Sequence, residues 1–264
     1  MNLERLCSDV RGIVEQTAKF ISVELEKRVE LNIEVKGTHN YVTHVDKTAE
    51  KMLVEGLSLL LPESGFIAEE GTSNKRGDTY NWIIDPLDGT TNYIHGLPPF
   101  AISVALMAGE EIILGVVYEI SLKECFYAWK GSKAYLNGRE IRVSKVDKVN
   151  DSLIATGFPY TNFAHLTYFM ETIKFFMENS HGLRRLGSAA TDIVYISCGR
   201  FEAFYEYGLS PWDVAAGILI VKQAGGRVSD FRGGNNYLFG GEIVISNDLV
   251  FDEFLEDVKS IMIR

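Results

Sequence analysis

Apolar residues recur every three or four positions from 2 to 28, at Leu3, Leu6, Val10, Ile13, Val14, Ala18, Ile21 and Leu25, with charges between them. This spacing predicts an amphipathic helix. "LNIEV" predicts a short strand and "KGTHN" a polar loop. A second helical stripe runs from about Thr43 to Leu60. "GFIAEEG" and "WIID" read as strands that end in acid, and the apolar stretches near 100–107, 111–120 and 123–129 predict an antiparallel meander. Beyond Asp147 a helix is expected over 162–179 and a strand over 182–186. "GSAATDIVYISCGR" predicts a helix that Ser188 caps and Gly199 stops. "FEAFYEYG" alternates like a strand, "SPWDVAAGILIVKQAGG" is a helix marked by serine-proline and paired glycines, and "DLVFDEFLEDVKSIMI" is a final helix. Strands and helices interleave throughout, so the expected class is α/β or α+β with layered sheets and helices. Residues 1–146 and 147–264 are the expected halves.

Composition narrows the picture. The 264 residues are 46% apolar, enough for one large domain or two intimately packed halves. A net charge of -10 argues against a generic nucleic-acid binder, because phosphate backbones need a positive field. Cys7, Cys125 and Cys198 are scattered and form no CxxC pair, so neither a disulfide framework nor a structural zinc site is expected. The polar start "MNLERLCSDVRG" does not read as a signal peptide, and no apolar run reaches the roughly 18 residues of a membrane span. A cytoplasmic protein is expected.

The segment "WIIDPLDGTTN" carries the candidate chemistry. Pro86 and Gly89 predict a compact turn that brings Asp85 and Asp88 together. Two bare carboxylates at close range repel, and a hard divalent cation between them removes that cost. Oxygen-only ligands point to magnesium or manganese. Gly89 and Thr90 offer amides at an expected helix start, a seat for an anion. The same turn sequence also serves ordinary turn chemistry. Glu69 at the end of "FIAEEG" and Asp213 in the first turn of "PWDVAAG" add two more acids at the ends of core elements. An acid such as Asp213 can also be only a helix-dipole partner.

With "FIAEEG", "WIIDPLDGTTNYIHGLPPFAISVAL" and "PWDVAAGILIVKQAGG" in this order, the chain resembles the magnesium-dependent inositol monophosphatase family. "VTHVDKTAE" and "RRLGSAATDIVYISCGRFEAFYEYG" extend the resemblance over nearly the whole chain. It implies a five-layered αβαβα sandwich, usually dimeric, with the site between the two halves and most metal ligands in the first. Carried over by position, Glu69, Asp85 and the carbonyl of Leu87 hold one Mg2+, Asp85, Asp88 and Asp213 hold a second, and a third weaker ion lies near Glu69. Gly89 and Thr90 contact the phosphate. Thr90 helps orient the attacking water, with Asp46 and Thr43 in support. Glu206 accepts ring hydroxyls beside Gly187, Ser188 and Ala189; read alone, Glu206 is an ordinary exposed strand glutamate. Divalent ions would neutralise the phosphate charge and lower the pKa of a water for in-line attack. Lithium inhibition is also implied.

The expected reaction is hydrolysis of a small phosphorylated polyol or sugar, myo-inositol monophosphate first. Fructose 1,6-bisphosphate, histidinol phosphate and 3'-phosphoadenosine phosphate are alternatives within the same chemistry. A transcription-complex or RNA-associated accessory factor is the alternative of another class. Asn40 stands where many relatives carry aspartate, and Lys36 is either near the site or an exposed loop lysine. Arg184 and Arg185 read by default as a solvated strand end or dimer contact, and otherwise as a contact for a second phosphate or a macromolecule. His95 reads by default as solvent-facing or locally bonded, and otherwise as a flank of the substrate entrance.

Overall fold

The computed structural model describes residues 1–27, 33–37, 40–73, 75–160 and 163–264, with only the backbone described for 33–37 and 40–42. His39 and the side chains of Lys36 and Asn40 therefore lie outside the described residues.

The two N-terminal stripes form α1 (Leu3–Glu26) and α2 (His44–Leu60). Asn2 caps α1 by accepting from the Arg5 amide at 3.0 Å. Thr43 and Asp46 form a reciprocal capping box on α2. Between the helices, β1 (Ile33–Gly37) and β2 (Asn40–Thr43) pair as an antiparallel hairpin, so the expected polar loop is shorter than its sequence suggested.

A seven-stranded sheet follows in sequence order: β3 (Gly65–Ala68), β4 (Tyr80–Asp88), then, after the short helix α3 (Thr90–His95), β5 (Ala101–Ala108), β6 (Glu111–Glu119), β7 (Glu124–Trp129), β8 (Ala134–Leu136) and β9 (Arg139–Ile141). The expected meander is β5–β6–β7. The last two strands have three residues each, too few to display a period, and were not anticipated. The C-terminal part contains β10 (Leu153–Thr156), α4 (Leu166–Glu178), β11 (Gly182–Arg184), α5 (Ala189–Ser197), β12 (Ala203–Tyr207), α6 (Pro211–Gln223), β13 (Gly226–Ser229), β14 (Glu242–Asn247) and α7 (Phe251–Met262). Its five strands form a mixed sheet in the order β11-β10-β12-β14-β13.

Core packing makes the layers explicit. Leu6 and Val10 of α1 and Val45 and Leu53 of α2 pack with Trp82, Ile84 and Val104 on one face of the first sheet. The opposite face, with Ile83, Ala105 and Val117, packs on Ala190 and Val194 of α5 and Ala215 and Ile220 of α6. The other sides of α5 and α6, through Ile193 and Ile218, meet Phe204 and Ile245 of the second sheet. Its far face, with Tyr205 and Val244, is covered by Phe169 and Phe176 of α4 and Phe254 and Val258 of α7. The result is an αβαβα sandwich. Because helices cover both faces of β12, all five of its residues are buried and the alternation expected of it is lost.

Helix α6 sits unusually close to the first sheet. A Cβ on Gly115 of β6 would come within 2.7 Å of the Ala216 carbonyl oxygen. Neither backbone can yield cheaply, so Gly115→Ala is expected to cost about 1–3 kcal/mol by overpacking. Denaturant melts of the variant read this loss directly; a wild-type midpoint would contradict the close approach. Among the described residues no helix is long and apolar enough to cross a membrane.

Candidate active site

The acidic segment folds differently from the compact turn its sequence suggested. Strand β4 runs through "DPLD" to Asp88. Against β5, Asp85 pairs with Ser103 and Asp88 with Ala101, so the register slips by one residue. This is a bulge at Pro86-Leu87, a place where a strand tolerates proline's missing N–H. The bulge has a chemical consequence. Residues three apart on a regular strand face opposite ways, and one extra residue returns them to the same side. The chain then turns at Gly89, whose φ of 90° lies in the region that favours glycine and whose Cβ position would crowd the Pro99 and Gly187 carbonyl oxygens at 3.1 and 3.2 Å.

Asp213 reaches the same place from α6. Its Oδ2 accepts the Ser210 amide at 2.7 Å in a capping box, and the Ser103 hydroxyl donates to the Trp212 carbonyl at 2.9 Å, fixing the first turn of α6 to β5. Carboxylate oxygens of Asp85, Asp88 and Asp213 all lie within 4.8 Å of one another. Asp88 is held across the layers: its Oδ2 accepts from the Ser188 hydroxyl at 2.6 Å and the Ala190 amide at 2.7 Å. Asn92 spans the same gap, donating to the carbonyls of Pro99 and Leu186, each at 2.8 Å.

These acids line a cavity of about 360 Å³ between the two sheets. Glu69, Leu87, Gly89, Thr90, Gly187, Ser188, Ala189 and Glu206 line it too. Glu69 is outside the tight carboxylate trio, yet its charge acts on Asp85. Its loop is braced by Glu50 of α2, which accepts from the amides of Glu70 and Thr72 and the Thr72 hydroxyl, each at 2.7 Å. Asp46 and Thr43 lie behind the wall. Asp46 accepts the Thr90 hydroxyl on Oδ1 at 3.0 Å and the Thr43 amide and hydroxyl on Oδ2 at 2.9 and 2.6 Å. The Leu87 carbonyl also lies 3.0 Å from the Thr90 hydroxyl.

Electrostatics shows the strain of this gathering. Burial, then the charges of Glu69, Asp88 and Asp213, pushes the Asp85 pKa well above the carboxylate range. Burial lifts Asp88 to about 6 against the hydrogen bonds from Ser188 and Ala190. Burial, then the charge of Asp88, lifts Asp213 to about 7. Asp46 is raised by burial, opposed by its bonds from Thr43 and Thr90. Such a set is acceptor-only, oxygen-only and mutually repelling, and it matches the needs of a hard divalent cation.

Sequence reasoning missed part of the wall. Arg185, read by default as solvated or a dimer contact, instead lines the cavity, with Nη2 donating to the Tyr160 hydroxyl, while Arg184 is exposed. Gly157 also lines it; a Cβ there would come within 2.0 Å of the Glu206 carboxylate. Asp192 of α5 is the third addition. "FPY" and a helical aspartate carried no signal on their own, because their role depends on the meeting of separate elements. His95 is exposed, as expected.

Fold and site together define a five-layered α/β protein with an acidic, oxygen-lined cavity between its sheets. The chain belongs to the inositol monophosphatase family, whose family model matches residues 7–262. It is 40% identical over 230 residues to an inositol-1-monophosphatase of Mesorhizobium japonicum, covering 87% of this chain and 86% of the relative. It is 40% identical over 225 residues to the Nus factor SuhB of Escherichia coli, covering 85% and 84%. Among solved structures, the extragenic suppressor protein suhB of Bartonella henselae superposes with a TM-score of 0.92 at 34% identity, covering 97% of this chain and 98% of that one.

Proposed function

We propose that the protein is an Mg2+-dependent phosphomonoesterase that hydrolyses myo-inositol monophosphate to myo-inositol and phosphate. The observation that carries this reading is the convergence of Asp85, Asp88 and Asp213 oxygens within 4.8 Å of one another. Two or three Mg2+ ions, with Mn2+ as a substitute, would supply neutralisation of the phosphate charge and acidification of a water. Glu69, Asp85 and the Leu87 carbonyl would hold one ion, and Asp85, Asp88 and Asp213 another.

The chain's own groups do the positioning. Gly89 and Thr90, at the start of α3, present first-turn amides to the phosphate. The Thr90 hydroxyl directs its proton toward Asp46 Oδ1 and the Leu87 carbonyl, which leaves its lone pairs to accept from the attacking water and orient it. Glu206, beside Gly187, Ser188 and Ala189, takes ring hydroxyls as an acceptor. Catalysis is then mainly placement and charge stabilisation, and no side-chain nucleophile is required. Homodimerisation, a cytoplasmic location and lithium sensitivity belong to the same proposal.

The test is phosphate release across inositol monophosphates, fructose 1,6-bisphosphate, histidinol phosphate, 3'-phosphoadenosine phosphate and simple aryl esters, with and without Mg2+. Inositol monophosphates are expected to be preferred, with release dependent on Mg2+ or Mn2+ and reduced by millimolar lithium. No metal-dependent release from any ester would overturn the reading.

A second reading rests on relatives such as the one from Escherichia coli, named Nus factor. Net charge alone argued against nucleic acid as a partner, and that argument loses its weight beside a 40% identical relative of this name. Association with a transcription complex could coexist with hydrolysis. Retention of RNA polymerase components on the tagged protein, lost in Arg184→Ala, would support it.

A further inference from the structure

Three charged groups on the cavity wall, beyond the carboxylate trio, lie close enough to act on one another: Asp192, Glu206 and Arg185. Asp192 is 1% exposed, and its buried Oδ1 has no hydrogen-bond partner among the described residues. The Nε of Arg185 is buried and equally unpartnered. Leaving such a group buried without a partner is costly to the fold. Asp192 stands in the first turn of α5, where the helix dipole offsets part of that cost, but Ser188 already caps the helix by accepting the Thr191 amide. The carboxylate thus has no structural bond to maintain.

The wall holds an unfilled acceptor, and an unfilled donor whose charge acts on it. An ammonium group only donates, and a phosphate or carboxylate ion only accepts, whereas a hydroxyl does both. We propose that Asp192 is a substrate-binding residue that accepts a hydroxyl of a polyhydroxylated leaving group, next to the hydroxyls taken by Glu206, while Arg185 Nε donates to a hydroxyl oxygen. The inference rests on the phosphatase reading and deepens it: two carboxylates, on α5 and β12, select neighbouring hydroxyls over apolar leaving groups.

The test compares wild type with Asp192→Asn, and with Asp192→Ser as the second variant. Steady-state kinetics on myo-inositol 1-phosphate and phenyl phosphate give the selectivity, the ratio of the two kcat/KM values. It is expected to fall about tenfold through KM for the inositol ester, the loss that accompanies one charged hydrogen bond. The free variants should melt at or above the wild-type temperature, because a buried carboxyl group without a hydrogen-bond partner has been replaced. Calorimetric binding of myo-inositol 1-phosphate, with Ca2+ in place of Mg2+, should weaken about tenfold as well, and this readout needs no turnover. Unchanged selectivity and affinity, or a lower melting temperature with both esters equally impaired, would overturn the role of Asp192. Absence of turnover in the wild type with this binding difference intact would overturn the phosphatase reading alone. A wild-type protein that neither hydrolyses nor binds the inositol ester would overturn both.

Discussion

Asp213→Asn is expected to lower Mg2+-dependent phosphate release by about a thousandfold, roughly 4 kcal/mol of barrier, while the metal-free protein melts higher than wild type. The two effects have one cause. Asp213 shares a space within 4.8 Å with Asp85 and Asp88, and its pKa of about 7 reflects burial and then the charge of Asp88. The amide keeps the side chain's shape and can still accept the Ser210 amide that closes the capping box, so α6 should form as before. What disappears is a negative charge. Without metal, burial and repulsion from Asp88 outweigh the Ser210 hydrogen bond that favours that charge. With metal and substrate bound, it is one of the few charges that can hold cation and phosphate together. A purely structural aspartate would behave oppositely, with stability lost and activity lost only in proportion. Phosphate release at limiting Mg2+, beside a thermal melt without metal, separates the cases. A variant of full activity at limiting Mg2+ would remove Asp213 from the site.

Helices were the most legible part of this chain, because α1, α2 and α6 carry their stripe or their caps locally. Strands were legible where they met one environment. The alternation in "FEAFYEYG" pointed to an exposed face, but helices from both sides bury β12, and no local pattern reports that. The acidic segment was legible as chemistry and misread as geometry. Asp85 and Asp88 do converge, through a bulge that preserves the strand rather than through a turn that ends it. Proline and glycine signal both, and the choice is made by pairing with β5, a strand 13 or more residues away. Asp192 and Gly157 were beyond reach for the same reason, and Arg185 was legible only as an alternative to a solvated strand end. Each matters through what a different layer brings to it. Asn92 illustrates the point: nothing local marks it, yet its side-chain amide joins the acidic motif to Leu186, 94 positions on.

The stabilisation of the protein by Mg2+ is expected to grow with pH. Asp88 and Asp213 have folded-state pKa values of about 6 and 7, against 3.8 for an ordinary aspartate. Between these limits the folded chain binds protons that the unfolded chain has released, so metal-free stability falls as pH rises from about 4 to 7. Below that window the acids are neutral in both states and do not repel. Above it Asp88 and Asp213 are ionised in both states, and the repulsion between them is fully present. Mg2+ competes with those same protons. Each pH unit below 7 therefore weakens its apparent affinity by about tenfold for Asp213 alone. At a concentration about 100-fold above the dissociation constant at pH 8, the ion should add about 2.7 kcal/mol, or roughly 5–10 °C for a chain of this size. At pH 5 the same concentration falls to or below the apparent dissociation constant, and the shift should shrink to roughly 2 °C or less. Thermal melts at pH 5, 6, 7 and 8, with and without Mg2+, trace this trend, and Asp213→Asn should flatten it. A shift of equal size at every pH would mean that the ion binds elsewhere, at groups that carry no protons in this range.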